Sequence, residues 1–87
     1  MKENELKLSI VIISYNTNKI THECIESVYR NPPHYEFEVI VVDNDSTDGA
    51  AEMVIRNFPE VLLVGNDTNV GFAAADNQGF QLATGQQ

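Results

Sequence analysis

Positive charge is scarce in this chain. Five Lys and Arg residues stand against 13 Asp and Glu residues, which gives a formal net charge of −8 over 87 residues. So few cations cannot form the basic patch that neutralises nucleic-acid phosphates or an anionic membrane surface. Nucleic acid is therefore excluded as a partner, and a small anionic ligand would need backbone amides at helix N-termini or a metal ion.

Cysteine and long apolar runs are also rare. The single cysteine, Cys24, excludes an internal disulfide framework and cannot form a thiolate metal site alone, which suits a reducing compartment. The first apolar run, residues 8–13, is too short to cross a bilayer, and the polar residues before it show no signal peptide. We therefore expect a cytoplasmic protein.

Two common ligand motifs are missing as well. No Gly-x-Gly-x-x-Gly follows any apolar run, so a dinucleotide-binding fold would lack its phosphate turn. An EF-hand that started at Asp43 would have Asp48 where Gly is required and Val54 where Glu is required. The chain contains instead a regular alternation of apolar runs and helical patterns.

Three apolar runs rich in β-branched residues predict strands, and three segments with helical spacing predict helices. The predicted strands are residues 8–13, 37–42 and 61–64, and the predicted helices are residues 19–30, 51–58 and 72–83. The apolar face of the second helix is expected to consist of Ala51, Val54, Ile55 and Phe58. Residues 1–7 are expected to be a flexible lead-in to one domain over residues 8–87.

This alternation predicts a parallel sheet joined by right-handed crossovers. The strands are apolar on both faces, so the fold class is α/β, a three-stranded parallel sheet with helices on both faces. The first two helices should cover one face and the third helix the other. In the spatial order 3-2-1, the first strand has an open edge, which invites self-association with another chain.

Polar residues follow each predicted strand. The carboxyl ends of parallel strands share one edge of a sheet, and open α/β sheets bind ligands just beyond it. Tyr15 could stack against a base, Asp43 or Asn44 could pair with a pyrimidine edge, and the helix start near Gly71 could offer amides to phosphate. The other candidate binding residues in these segments are Ser14, Asn16, Asp45 and Asn69.

Structural roles are the alternative for these residues. A polar residue before the second helix could cap it and stabilise it by about 1 kcal/mol, but capping leaves the proximity of Asp43 and Asp45 unexplained. The candidates for that cap are Ser46, Thr47 and Asp48. Ordinary packing could explain Tyr15, a turn with positive φ could explain Gly71, and close packing of helix on sheet is favoured for Gly79.

Three segments resemble the first three signatures of the inverting family 2 glycosyltransferases. They read S-I-V-I-I-S-Y-N at residues 9–16, V-V-D-N-D-S-T-D-G at residues 41–49 and N-V-G-F-A-A-A-D-N-Q-G at residues 69–79. The similarity covers about residues 8–85. Asp-Asn after the second strand, together with N-x-G-F before the last helix, most resembles the rhamnosyltransferase-like branch.

The resemblance implies the N-terminal half of a Rossmann-like A-type glycosyltransferase domain. Such a domain would bind a UDP- or dTDP-sugar, and the full-length enzyme would transfer the sugar to an acceptor hydroxyl, in synthesis of cell-envelope polysaccharide at the inner face of the membrane. Tyr15 would lie against the base, Asp43 and Asn44 near the base or ribose, and the segment from Asn69 to Asn77 beside the nucleotide.

The resemblance also implies what this chain lacks. In the family, the Asp-x-Asp motif that holds Mg²⁺ or Mn²⁺ on the diphosphate, the catalytic base and the acceptor site all follow the segment that is similar here. We therefore expect Mg²⁺ or Mn²⁺ only in the full-length enzyme, assign no catalytic or metal residue, and expect the 87-residue chain to transfer no sugar by itself.

Two alternative functions come from other classes of protein. Residues 43–47 fit the D-x-D-x-T of haloacid-dehalogenase-like phosphatases, in which the first Asp attacks phosphorus. That class requires a downstream lysine and a second acidic pair, whereas no lysine follows Lys19 and the acids Asp67 and Asp76 are isolated. The non-enzymatic alternative is an α/β domain that only self-associates through its open edge.

Overall fold

The computed structural model describes residues 7–83, in which three strands and three helices alternate. They are β1 (Lys7–Ser14), α1 (Asn18–Arg30), β2 (Glu36–Asp43), α2 (Ala50–Asn57), β3 (Leu62–Gly65) and α3 (Phe72–Leu82). Each boundary lies within about one residue of the predicted one, well inside the uncertainty that assignment of helix and strand ends carries. Residues 1–6 of the predicted lead-in lie outside the described residues, and Lys7 begins β1.

The strands form one parallel sheet in the order β1-β2-β3, as predicted. β1 pairs with β2 along its whole length, from Lys7 opposite Glu36 to Ser14 opposite Asp43. β3 is shorter and pairs only with the carboxyl-terminal half of β2. β2 is therefore the central strand, and within residues 7–83 no strand pairs with the outer edge of β1.

Helices cover both faces of the sheet, two on one face and one on the other. On the first face, α1 and α2 pack against alternate residues of β2 and bury the larger core, which contains Ile25, Val39, Val41, Met53, Val54 and Val61. On the second face, α3 packs across β1 and β2 and buries a smaller core of Ile40, Val42 and Ala75. The predicted distribution of helices is confirmed.

A glycine allows α3 to lie close to the sheet. Gly79 is buried in α3, and a Cβ atom at this position would lie 2.5 Å from Cγ1 of Val11 in β1. The β-branched side chain of Val11 is stiff and could not easily move aside. Close packing therefore accounts for Gly79, the interpretation that the sequence favoured.

The buried face of α2 differs from the prediction. Val54 is buried and Phe58 packs, partly buried, against the larger core, as expected, but Ile55 is 63% exposed. The first residue of the helix, Ala50, and Met53 complete the buried face instead. The reason is tertiary: the helix starts after Gly49, whose φ of 81° sets the direction of the chain, and apolar spacing carries no information about that direction.

Candidate functional site

The carboxyl ends of the three strands lie side by side. Ser14 is in register with Asp43, and Asp43 is in register with Gly65. The backbone continues this adjacency, because the amide of Asn44 donates to the carbonyl oxygen of Ser14 at 2.8 Å and the amide of Asn66 donates to that of Asp43 at 2.9 Å. The three polar segments therefore meet at one edge of the sheet, as the sequence predicts.

Asp43 folds the loop after β2 back towards the strand. This residue is 4% exposed, and its Oδ1 and Oδ2 accept hydrogen bonds from Oγ of Ser46 at 2.6 Å and from the amide of Ser46 at 3.1 Å. A carboxylate offers about four acceptor positions, so Asp43 retains capacity for a donor on a ligand. The intervening Asp45 is exposed and adopts a left-handed φ of 67°.

Asn16 binds the loop after β1 to the loop after β2. Its Oδ1 accepts a hydrogen bond from the amide of Thr47 at 2.8 Å, and its own amide donates to Oγ of Ser46 at 2.9 Å. Its φ is 53°, in the left-handed region that Asn tolerates better than most residues. The sequence does not reveal this contact, because the partners are about 30 residues apart.

Asp48 binds the first turns of two helices. Its Oδ2 accepts a hydrogen bond from the amide of Asn18, the first residue of α1, at 2.9 Å, and its Oδ1 accepts from the amide of Ala50, the first residue of α2, at 3.1 Å. The side chain of Asn18 donates in return to the carbonyl oxygen of Asp48 at 2.9 Å. Of the three residues expected to cap α2, Asp48 is therefore the one whose carboxylate binds its first amide.

Ser14 lies in the interior. It is fully buried, and its hydroxyl accepts a hydrogen bond from Oγ1 of Thr21 at 3.2 Å. Thr17 lies between them in sequence, with its Oγ1 3.4 Å from Oγ of Ser14 and 3.1 Å from Oγ1 of Thr21. The three hydroxyls form a closed group that joins the end of β1 to the start of α1.

Asn44 connects the end of β2 to the loop before α3. It is 2% exposed, and its Oδ1 accepts hydrogen bonds from Nδ2 of Asn66 at 3.0 Å and from the amide of Val70 at 3.3 Å. Its Nδ2 donates to the carbonyl oxygen of Gly71 at 3.2 Å. Asn66 also exchanges two amide hydrogen bonds with Gln78 of α3, at 2.8 and 3.0 Å. Gln78 carries no sequence signal of this role.

A cavity of about 340 Å³ opens where these loops meet, lined by Ile13, Tyr15, Thr17, Asn44, Asn69 and Phe72. Tyr15 is 50% exposed and Phe72 is 71% exposed, so each ring has accessible surface. Small-ligand pockets have volumes of roughly 300 to 1,000 Å³ and combine apolar or aromatic walls with a few polar groups. This cavity has a volume in that range and has both features.

One backbone amide at the start of α3, beside this cavity, already has a hydrogen-bond acceptor within the protein. Asn69 is exposed, and its Oδ1 accepts a hydrogen bond from the amide of Gly71 at 2.7 Å. Gly71 has a φ of 87° and precedes Phe72, the first residue of α3. Of the candidates from the sequence, Tyr15, Asn44 and Asn69 line the cavity. Those that do not line it are Ser14, Asn16, Asp43, Asp45, Gly71 and Asn77, which is exposed further along α3.

A larger groove of about 600 Å³ runs along α2 and the loop before it. Its lining includes Glu52 and Arg56, but none of the residues that the sequence identifies as candidates for binding. It also has no aromatic residue among the described residues of its lining. We therefore take the smaller cavity at the strand ends as the candidate site.

The described residues do not fit a metal ion. Between residues 7 and 83 there is no group of three or more His, Cys, Asp and Glu side chains that could hold one. Asp43 is already engaged with Ser46, and no Lys or Arg lines the cavity. A ligand in the cavity would therefore meet aromatic, amide and hydroxyl groups.

Comparison with known proteins identifies the family. The sequence matches the family described as Glycosyl transferase family 2 over residues 9–87. It is 32% identical to the uncharacterized glycosyltransferase YibD of Escherichia coli, over 99% of this chain and 25% of that protein. It is 30% identical to the poly(ribitol-phosphate) beta-glucosyltransferase of Bacillus spizizenii, over 93% of this chain and 14% of that protein.

Solved structures give the same result. The mannosyltransferase PcManGT from Pyrobaculum calidifontis, in complex with GDP-Man and Mn²⁺, has a TM-score of 0.78 and 31% identity, over 90% of this chain and 24% of that chain. TarS from S. aureus has a TM-score of 0.78 and 30% identity, over 92% of this chain and 15% of that chain. The fold matches that of A-type glycosyltransferases, although the chain spans a quarter or less of these proteins. On these grounds the chain belongs to glycosyltransferase family 2.

Proposed function

We propose that this chain binds the nucleotide of a UDP- or dTDP-sugar, and that the full-length protein transfers the sugar to an acceptor hydroxyl with inversion at the anomeric carbon. The observation that carries the proposal is the cavity at the strand ends, which Tyr15, Asn44 and Asn69 line together. Membership of family 2 and the GDP-Man in a structural neighbour support it.

The chemistry of the cavity suits a pyrimidine. Uracil and thymine each present one imide N–H between two carbonyl oxygens, and the proposal pairs this donor with Asn44 of the cavity wall or with Asp43, which precedes Asn44 but does not line the cavity. The ring of Tyr15 offers a face for stacking. In this proposal, Asn16 and Gly71 hold the loops around the nucleotide, and Asp45 and Asn77 lie at its margin.

The proposal for binding is tested by calorimetric titration with UDP and with dTDP, with and without Mn²⁺. We expect measurable binding of at least one nucleotide, and no heat at millimolar nucleotide would contradict the proposal.

Tyr15 provides the test of the site itself. We expect Tyr15→Ala to weaken nucleotide binding about tenfold, since stacking of a base on an aromatic ring contributes roughly 1 to 3 kcal/mol, and Tyr15→Phe to bind almost normally. Tyr35→Ala is the matched control, because Tyr35 is similarly exposed but does not line the cavity. Equal affinities of the two alanine variants would exclude this cavity as the base site.

We also propose that the 87-residue chain alone transfers no sugar. The acids that would hold Mg²⁺ or Mn²⁺ on the diphosphate are not grouped among residues 7–83, so the full-length enzyme would supply them from elsewhere. Turnover of a nucleotide sugar by the purified chain would contradict this.

Family membership favours sugar transfer over the phosphatase alternative, while the rhamnosyltransferase-like branch stays a prediction.

Association with another chain is a further part of the proposal. Within residues 7–83, β1 has an outer edge that no strand pairs with, and unpaired edges favour pairing between chains. We expect the isolated chain to self-associate through this edge, seen as a concentration-dependent rise in mass by light scattering. A constant monomer mass up to millimolar protein would contradict it.

The proposed setting is the cytoplasm, at the inner face of the membrane, in synthesis of a cell-envelope polymer. The relative named for poly(ribitol-phosphate) supports the polymer. No helix within residues 7–83 has the length and apolar character to span a membrane. Fractionation of cells that express the full-length protein would test the location.

A further inference from the structure

We infer that Asn66 and Gln78 are positioning residues for the nucleotide site, although neither lines the cavity. Through Asn44, they fix the backbone that carries Asn69 and Phe72, two residues of the cavity wall. The inference rests on the proposed function, because positioning matters only if the cavity binds a nucleotide.

Both the nitrogen and the oxygen of the Asn66 side-chain amide form hydrogen bonds within the protein. Its Nδ2 donates one hydrogen bond to Oε1 of Gln78 at 2.8 Å and another to Oδ1 of Asn44 at 3.0 Å. Its Oδ1 accepts from Nε2 of Gln78 at 3.0 Å. An amide nitrogen has two N–H donors, so both are committed. The two bonds to Gln78 hold the Asn66 side chain in place, with its second N–H directed at Asn44.

The N–H of Asn66 is one of three partners that fix the orientation of the Asn44 amide. Its Oδ1 receives donors from Asn66 and from the amide of Val70, and its Nδ2 donates to the carbonyl oxygen of Gly71. Rotating this amide by half a turn would place its NH₂ group against two donors and its oxygen against a carbonyl oxygen. Because Asn44 is 2% exposed, water could not relieve that mismatch.

In this orientation, the Asn44 side chain binds backbone groups of two adjacent residues, the amide of Val70 and the carbonyl oxygen of Gly71. Asn69 precedes this pair and Phe72 follows it, so both wall residues depend on its position. Two further hydrogen bonds hold Gly71, whose φ is 87°: its amide donates to Oδ1 of Asn69 at 2.7 Å, and its carbonyl oxygen accepts from the amide of Ala75 at 3.1 Å. The amide pair thus links α3 to the cavity wall and sets its shape before a ligand binds.

The test compares isosteric variants in the 87-residue chain. Asn66→Asp removes the Nδ2 group and the two hydrogen bonds that it donates, and Gln78→Glu removes the Nε2 group and the one hydrogen bond that it donates to Asn66. Gln81→Glu is the matched control, since it makes the same amide-to-carboxylate change at an exposed position of α3. The readout is UDP affinity by calorimetry, at a temperature where each variant is fully folded. Under these conditions a loss of stability alone does not change the measured affinity.

We expect Asn66→Asp to lower UDP affinity about tenfold, Gln78→Glu to lower it less, and Gln81→Glu to match the unsubstituted chain. Amide hydrogen exchange provides the second readout: the exchange of Val70 should accelerate in the first two variants, while that of Val41 in β2 stays unchanged. This pattern would separate local positioning from general destabilisation.

The outcomes are distinct. If the unsubstituted chain binds UDP and neither variant is weaker than Gln81→Glu, the inference is overturned, whatever happens to the exchange of Val70. If the unsubstituted chain binds no nucleotide, the proposed function fails and the inference fails with it. If Asn66→Asp does not fold, Gln78→Glu decides alone, because its half-buried side chain loses one hydrogen bond.

Discussion

Most polar side chains around the candidate site bind other parts of the protein. Asp43 binds Ser46, Asn16 binds Thr47, and Asn44 binds the backbone of Gly71. These hydrogen bonds fix carboxylate and amide orientations in the absence of a ligand. A ligand that binds here does not have to order the loops first, which lowers the entropic cost of binding.

Asp48 allows a test at this scale. We expect Asp48→Ala to lower the free energy of unfolding by about 1 to 2 kcal/mol, because the first amides of α1 and α2 lose their acceptor. Urea denaturation measures the change. Asp67→Ala is the control, since Asp67 is exposed and its loss removes the same charge, and it should shift stability by less than about 0.5 kcal/mol. Equal stabilities would show that Asp48 contributes little to the helix starts.

Helix and strand positions could be predicted because their signals are local. The β-branched runs mark the three strands, and Pro32 and Pro59 follow α1 and α2 closely. The buried face of α2 could not be predicted, because it depends on the backbone at Gly49 and on packing against α1. The spacing that includes Ile55 satisfied the helical period equally well.

Two substitutions in α2 test its observed orientation. We expect Val54→Ala to destabilise the protein by about 2 kcal/mol, because it leaves a cavity in the larger core. Ile55→Ala should change the free energy of unfolding by less than about 0.5 kcal/mol, because Ile55 is 63% exposed. Both replace a β-branched residue in the same helix. If urea denaturation showed a larger loss of stability for Ile55→Ala than for Val54→Ala, the result would support the buried face predicted from spacing.

The meeting of the three polar segments at one edge of the sheet could be predicted, and the contacts between their side chains could not. Strand ends converge in any parallel sheet, so the polar segments after β1, β2 and β3 had to meet. The burial of Ser14 and the pairing of Asn66 with Gln78 depend on how α1 and α3 return over the sheet. In particular, α3 follows β3 in sequence but packs on β1 and β2.

At the scale of the whole molecule, two helices cover one face of the sheet and one helix covers the other, within residues 7–83. The chain carries a net charge of −8, and none of the Lys and Arg residues between positions 7 and 83 lines the candidate cavity. An anionic nucleotide would therefore depend on ring stacking and on hydrogen bonds for its affinity. In this account, the contacts that recognise the nucleotide come from the three loops at the strand ends.

The most direct test is to map the backbone amide chemical shifts of the chain by NMR while UDP or dTDP is added. We expect the largest changes in the loops after the three strands, at residues such as Asn16, Asn44 and Val70, and no changes around Arg56 in the groove along α2. Changes confined to that groove, or no changes with either nucleotide at millimolar concentration, would contradict a nucleotide site at the strand ends.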